Sequence, residues 1–453
     1  MITEHEISLA RHCISFARQK GADGIRIALS KSSTDSCNML NGALDKVSHS
    51  ADRSIYLYLF VDGRYGTFST NRLMQEDLED LIVKGIDMVR MLEPDPSRRL
   101  PDPSRTEKNA KTGREVGLYD ESIERSSSER RISRAMQMSI FNDHREDPLP
   151  VISEECEYSE TYDDSYMIDS QGFEGRHTES IFSYFSEITI EDASGNKYSS
   201  YWWESSPSDK EGDLKACSKT ALKKALDQIG PRPRRSGRYR MVVDTSVASR
   251  LVSPLINALN GSALQQHMSF LEDAIGKKVF SEGLTLMDLP RTFGKNGSRL
   301  FDSEGVATVD APVIKDGIVM KYFINTYNAN KMDVEPTVED ASRPILLPFM
   351  KGKRLPYEEN EVSLEDILKF CGNGILVTGF NGGNSNPVTG DFSFGIEGFA
   401  FSRGKITHPV REMLITGNLT ELWNNLTAVG TDMRPCVRWQ IPTIAFEGVA
   451  FSG

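Results

Sequence analysis

The stretch GGNSNPVTGDFSFGIEGFAF, Gly382 to Phe401, decides between two fold classes. In doubly wound α/β proteins a glycine-rich turn opens a helix and cradles phosphate, with a G-x-G-x-x-G spacing or a following lysine. Here the glycines flank a strand, no such lysine follows, and DFSFGIEGFAFSRGKI alternates as strands joined at a turn do. Gly382, Gly383 and Gly390 permit tight turns and close approach by another backbone. A glycine rim beside strands suits an extended peptide held through its main chain, and it suits a plain β-hairpin equally well. Gly383, Asn384, Thr389, Gly390 and Asp391 are therefore candidates for peptide contact or for a subunit interface, with turn geometry alone as the other reading.

Working outward, short strands and glycine turns dominate from Thr285 onward, with helices predicted at 364–370 and 419–426. Upstream lie a helix over 247–259 and another over 264–274. The first 230 residues read twice as helix, strands, helix. Thr3-x-x-Glu6 has the form of a capping box opening the first helix. GIRIALS, SCNMLNG, ALDKVSHS, RSIYLYLFV and RYGTFST follow as short strands, with Asp62-Gly63 as a hairpin turn, and 73–92 is helical again. The second module has a helix in ESIERSSSERRISRAMQMSIF, strands over 150–204 and a closing helix in GDLKACSKTALKKALDQIG. Segregated helices and antiparallel strands make the fold α+β, with two N-terminal modules that hint at duplication and a β-rich C-terminal domain. The expected boundaries are 1–95, a Pro- and Ser-rich linker at 96–115, a central domain at 116–230 and a C-terminal domain at 231–453.

Composition limits the partners. The 453 residues carry a net charge of −12, which argues against nucleic acid, since phosphate binding needs a basic face. The longest apolar run, SIYLYLFV, is far short of the roughly 20 residues a membrane span requires. MITEHEISLARH reads as a charged amphipathic start and not as a signal peptide. Six scattered cysteines without a C-x-x-C pair read as reduced, mostly buried thiols of a cytoplasmic protein.

Chemistry-bearing patterns are sparse. Among the seven histidines, His5 and His12 are the nearest pair and are seven positions apart, where two zinc ligands on a regular helix stand four apart. No G-x-S-x-G is present. Cys436, beside Arg434 and Arg438, is a weak candidate for a reactive or ligating thiol. Asp302, Glu304 and Gly305 in FDSEG are further candidates for peptide contact or a subunit interface, with an acidic turn that positions strands as the equal alternative.

Several stretches in order resemble the TldD/PmbA (TldE) family: NGALDKVSHSADRSIYLYLFVDGRYGTFSTN, IDSQGFEG, SFLEDAIGKKVF with FDSEGVATVDAPVIKDGIVMKYFINTYNANK, TGDFSFGIEGFAFSRGKITHPVREMLITGNLTELWNNLTAVGTD, and IPTIAFEGVAFSG at the end of the sequence. The resemblance implies zinc metallopeptidases of the TldD type and partner chains of the PmbA/TldE type. TldD-like members carry H-E-x-x-x-H on a helix, completed by a C-terminal Cys; histidines five apart lie about 140° apart on an ideal helix, so a local bulge must bring them together. Counted back from SFLEDAIGKKV, the six slots here are Val252, Ser253, Pro254, Leu255, Ile256 and Asn257. Both histidines and the glutamate are absent, and Cys436 alone cannot hold a catalytic zinc. The resemblance thus implies a PmbA/TldE-type subunit, itself without catalytic residues or metal, whose TldD-type partner supplies zinc for cleaving peptides or unfolded segments. Two readings compete with it: a peptide-binding regulator that does not hydrolyse, in keeping with the family's gyrase-modulator label, and a diverged peptidase. Self-association of the isolated chain as a homodimer stays open.

Overall fold

The computed structural model describes residues 1–209, 213–352 and 361–453. In chain order the first half comprises α1 (Glu4–Gln19), β1 (Gly24–Leu40), β2 (Ala43–Val61), β3 (Arg64–Thr70), α2 (Gln75–Val89), α3 (Ser128–Met138), α4 (Phe141–His144), β4 (Val151–Asp169), β5 (Glu174–Glu191), β6 (Lys197–Ser206) and α5 (Ala216–Leu226). The second half continues through β7 (Gly237–Val243), α6 (Ser249–Ala258), α7 (Gly261–Gln265), β8 (Leu286–Asp288), β9 (Ala311–Lys315), β10 (Ile318–Val319) and α8 (Thr326–Met332). It ends with β11 (Pro344–Leu346), β12 (Phe349–Met350), α9 (Leu364–Cys371), β13 (Gly374–Ser385), β14 (Asp391–Ser402), β15 (Lys405–Asn418), α10 (Leu419–Asn424), β16 (Leu426–Val429) and β17 (Ile444–Ser452). The fold is α+β. Packing divides it into two compact units: Met1–Leu226 with Arg291–Thr308 and Asn325–Val338, and Asp227–Pro290 with Val309–Ile324 and Glu339–Gly453.

In the first unit one six-stranded antiparallel sheet runs β3-β2-β1-β4-β5-β6. Its central pair, β1 with β4, takes one strand from each N-terminal module, so the two modules share a sheet. The runs read as separate short strands merge: GIRIALS and SCNMLNG are one strand, as are ALDKVSHS and RSIYLYLFV. Their middles lack apolar alternation because Ser30, Ser32, Thr34 and Ser36 lie on the face opposite Leu29 and Cys37, where Thr34 and Thr161 hydroxyls meet at 2.9 Å. The strands turn at Asn41-Gly42 (φ 50° and 77°) and Asp62-Gly63 (φ 50° and 70°), the paired positive φ values that two-residue hairpins prefer.

Helices cover the other face. Thr3 Oγ1 accepts from Glu6 N and Glu6 Oε2 accepts from Thr3 N at 2.8 Å, so the capping box opens α1 as the spacing predicts. Buried residues of α1 and α2 join Ile25, Ile27, Leu29, Ile55, Leu57 and Leu59 in one core; Ala135 and Met138 of α3 join Cys37, Met39, Cys156, Tyr158 and Phe182 in another. The long helix read over ESIERSSSERRISRAMQMSIF is interrupted: Glu121–Arg125 is a 3-10 turn, and Ser127 caps α3 by accepting from Arg130 N. The helix read from Gly212 is observed as Ala216–Leu226; Gly212 itself lies outside the described residues.

Strand β4 carries buried carboxylates toward the helices. Asp164 accepts two bonds from Arg176 (2.6 and 2.9 Å) and one from Ile2 N (2.7 Å). Glu160 accepts from Ser126 Oγ and Tyr158 Oη at 2.8 Å and pairs with Arg131, while Glu154 accepts from Ile140 N at 2.9 Å and Phe141 N at 3.2 Å. The stretch read as a linker is docked: Leu100, Thr106, Glu107 and Ala110 are buried, Glu107 N donates to Gly305 O, and the Glu107 carboxylate pairs with Arg291.

In the second unit β7, β13, β14, β15 and β17 close on themselves, because β17 pairs with β15 at one margin and with β7 at the other. Strands β16 and β12 extend from β17, and β10-β9-β8-β11 form a separate small sheet. The helix read over 264–274 is not there: α7 ends at Gln265, and His267 (φ 55°) and Asp273 (φ 57°) adopt left-handed backbone that a helix cannot contain.

Removing one partner of a buried ion pair leaves the other charge uncompensated, at a cost of about 3–5 kcal/mol. Asp164→Ala is therefore expected to lower the stability of the first unit by roughly that amount in denaturant titration, whereas Asp87→Ala on the exposed side of α2 should change it by less than about 0.5 kcal/mol.

Candidate functional site

Helix α6 carries the six slots. Asp244 begins the turn into it: its carbonyl accepts from Val247 N and Ala248 N, and its Oδ1 accepts from Ser246 N at 2.9 Å. Val252 and Leu255 are fully buried and Ile256 nearly so, while Ser253 and Pro254 are half-buried and Asn257 is exposed. Pro254 stands inside the helix rather than in its first turn, and deprives the Arg250 carbonyl of its usual intrahelical donor. This helix face is core.

Arg250, one turn before Pro254, connects α6 to the glycine ribbon: its guanidinium donates to Gly383 O at 3.3 Å and lies 5.3 Å from the Phe394 ring centre. Strand β7 pairs with β13 only at Ile375–Val377, and Asp244 N extends that contact to Val377 O. Beyond it β13 runs to Ser385 against β14 alone, with register shifts after Val377 and after Phe380 and with Asn381 to Asn384 exposed. Phe380 and Phe392 flank Phe394, at centroid distances of 5.8 and 5.4 Å. Gly383 (φ 88°) is obligatory, since a Cβ there would stand 2.1 Å from Ser393 O; Gly382 has the same φ but open space around it.

The remaining rim candidates form a self-bonded turn. Asp391 accepts from Thr389 Oγ1 at 2.7 Å and from Asn418 Nδ2 at 3.0 Å, and these bonds, Asn418 first, hold its carboxyl below the usual range. Asn418 also donates to Thr389 O, and Gly390 (φ 78°) packs on Phe270. Gly383 and Asn384 thus belong to the exposed ribbon, whereas Thr389, Gly390 and Asp391 build the turn beside it.

Cys436 is buried in the loop between β16 and β17, where Gln440 Nε2 donates to Arg434 O at 3.0 Å. Among the described residues no three His, Cys, Asp or Glu side chains converge as metal ligands would. His12, His49, His144, His177 and His267 each face one carboxylate, namely Glu79, Asp35, Asp147, Glu179 and Glu272. The cysteines are all buried, and burial pushes the Cys13 thiol up to about 12 and those of Cys156 and Cys371 to about 11.

The FDSEG residues lie in the first unit. Asp302 Oδ1 accepts from Glu304 N and Val306 N at 2.9 Å, and Gly305 (φ 86°) lies against the Phe173 ring, where a Cβ would approach to 2.6 Å. Glu304 Oε2 accepts from Thr326 N and Oγ1, both at 2.8 Å, at the start of α8. Burial pushes the Glu304 carboxyl up, Asp302 adds to this, and the Thr326 bonds and Arg26 oppose it. Arg26, buried on β1 with its guanidinium 4.5 Å from the Tyr58 ring centre, is a participant that sequence reading missed; an arginine inside an otherwise apolar strand was the available signal.

Three family models match in order: PmbA/TldA metallopeptidase domain 1 over residues 26–89, its central domain over 119–229 and its C-terminal domain over 236–453. A crystal structure from Bacteroides thetaiotaomicron, of a protein described as a candidate modulator of DNA gyrase, is 40% identical, covers 100% of both chains and superposes with a TM-score of 0.92. This chain belongs to the PmbA/TldD metallopeptidase family. Metalloprotease PmbA of Escherichia coli O157:H7 is 25% identical over 442 residues, 95% of this chain and 93% of that one. TldE from Thermococcus kodakarensis, 19% identical with a TM-score of 0.80 over 98% of this chain and 100% of that one, shares the fold.

For a PmbA/TldD chain, zinc at α6 would need imidazole, thiolate or carboxylate donors. Val252, Leu255 and Ile256 offer only aliphatic carbon there, so the slots do not fit the ion. In this chain the residues matched by domain 1 and by the central domain contribute strands to the same sheet.

Two measurements check this geometry. Gly383→Ala should cost ~2 kcal/mol or more by combining left-handed strain with a backbone clash, and Gly382→Ala only about 1 kcal/mol, read as the difference in unfolding midpoint. A raised carboxyl binds its proton more tightly when folded, so the Glu304 contribution falls as pH rises from its unfolded value near about 4.3 through its raised folded value. Glu304→Gln should remove that slope from a plot of Tm against pH between about 4 and 7.

Proposed function

We propose that this chain is a PmbA/TldE-type subunit that joins a TldD-type chain, helps to hold peptides or unfolded segments, and leaves zinc-dependent cleavage to that partner. The observation that carries this reading is the burial of Val252, Leu255 and Ile256 on α6, at the slots where a TldD-type chain is expected to place its ligands. Hydrolysis by a metal-bound water needs an ion with an open coordination position, and aliphatic side chains supply neither ligand nor base. The ribbon from Asn381 to Asn384 supports the peptide-holding part, since its exposed main chain and flanking phenylalanines match what an extended peptide uses for strand addition. The acidic balance speaks against direct contact with DNA, and six buried thiols are in keeping with a cytoplasmic setting.

The same ribbon favours a second reading, a peptide-binding regulator that acts without hydrolysis. The diverged-enzyme reading through Cys436 is disfavoured by the burial of that thiol. Purification with and without a TldD-type chain, followed by metal analysis and peptide cleavage, separates them. The proposal expects no stoichiometric zinc and no cleavage by the isolated chain, with chelator-sensitive cleavage once the two chains are combined. Tight stoichiometric zinc in the isolated chain would overturn it; peptide binding indifferent to chelator, with no complex formed, would favour the regulator.

A further inference from the structure

The exposed half of β2 is an unpaired sheet edge with a self-complementary sequence. Strand β3 pairs with β2 only from Ile55 to Val61, and β1 occupies the inner side throughout. Among the described residues no strand pairs with the outer side of residues 43–54, between the Asn41-Gly42 turn and Ile55. Apart from Ser48 and Ser54, which are half-buried, these residues are exposed, and they include the apolar Leu44 and Val47. Such an edge either is blocked by its charges or finds a strand.

We infer that residues 43–54 pair antiparallel with the same stretch of a second copy, about a two-fold axis through His49. Setting His49 opposite itself places Lys46 opposite Asp52, Val47 opposite Ala51 and Ser48 opposite Ser50, each pair occurring twice. Arg53 falls opposite Asp45, the extra residue of the bulge that shifts the β1 register between Asn38 and Met39. Opposite charges directly across an antiparallel pair stabilise it, and like charges destabilise it. Slipping the register by one residue in one sense sets Asp45 against Asp52, and in the other sense Lys46 against Arg53, so both neighbouring registers are repulsive. The available space agrees with the charge pattern: the free stretch is bounded by the hairpin turn at one end and by β3 at the other, and its middle lies at Ser48 and His49. Pairing there joins the sheets of two protomers into one and satisfies main-chain groups that otherwise face solvent.

The test uses the isolated full-length chain, so it does not depend on a TldD-type partner. Sedimentation should show a concentration-dependent dimer. Lys46→Asp and Asp52→Lys should each weaken it about tenfold or more, and the double variant, which exchanges the charges, should restore it. Mixing the two single variants should also restore dimers, since each then presents what the other lacks. In antiparallel pairing facing Cα atoms stand about 4.5–5.5 Å apart, within disulfide reach, so His49→Cys should form an intermolecular disulfide on oxidation while the wild type, with buried thiols, does not. A chain that stays monomeric would mean that Lys46 and the bulge protect the edge, and would overturn the inference. Dimers indifferent to the charge variants and uncrosslinked through His49→Cys would overturn it as well.

Discussion

The structure depends on a strand that buries charge. On the helix-facing side of β4, Glu154, Glu160 and Asp164 are buried in the same row as Cys156, Tyr158, Tyr166 and Ile168. A carboxylate removed from water costs several kcal/mol unless hydrogen bonds and a countercharge replace its hydration. Asp164 meets both needs through Ile2 and Arg176, and Glu160 through Ser126 and Arg131, while Glu154 accepts hydrogen bonds from Ser139, Ile140 and Phe141. The row therefore specifies where the N-terminus and the α3 region must lie. At Asp164 it also ties the start of the first module to a strand of the second, through Ile2.

The two units treat strand edges differently. In the second, closure of β7, β13, β14, β15 and β17 removes edges, and β13 escapes the closure only after Val377, where the glycine ribbon begins. That ribbon and α6 are tied by Arg250, so the helix that lacks ligand side chains still abuts an exposed main-chain segment. In the first unit the sheet is open, and its helix-free face carries hydroxyl side chains along β1 and β4. Burial of Val252, Leu255 and Ile256 maintains α6 by packing, independently of any ion.

Much of the fold was legible because it is written in local signals. The Thr3–Glu6 box, the Asp62-Gly63 turn and the helices Leu364–Cys371 and Leu419–Asn424 follow from caps, paired positive-φ residues and apolar periodicity. Long strands were broken in reading because their central residues are serine and threonine, which look like turn residues when the sheet that pairs them is unknown. The segment 96–115 resembled a linker by composition, yet Glu107 and Ala110 are buried by contacts remote in sequence. At the candidate site, the separation of Gly383 and Asn384 from the self-bonded Thr389, Gly390 and Asp391 turn could not be read, since Asn418 supplies the bonds that distinguish them.

By itself the sequence determined which atoms are available: no imidazole or carboxylate at the six slots of α6, glycines where the backbone must turn, and charges on β2 that oppose each other in order. These are covalent facts and need no partner to be true. Only the tertiary structure decided that Val252, Leu255 and Ile256 face a core, that Arg250 reaches Gly383, and that β3 stops at Ile55 and leaves the rest of β2 bare. Each of those outcomes depends on which distant segment arrives to exclude water or to complete a hydrogen bond, and chain order alone does not specify that arrival.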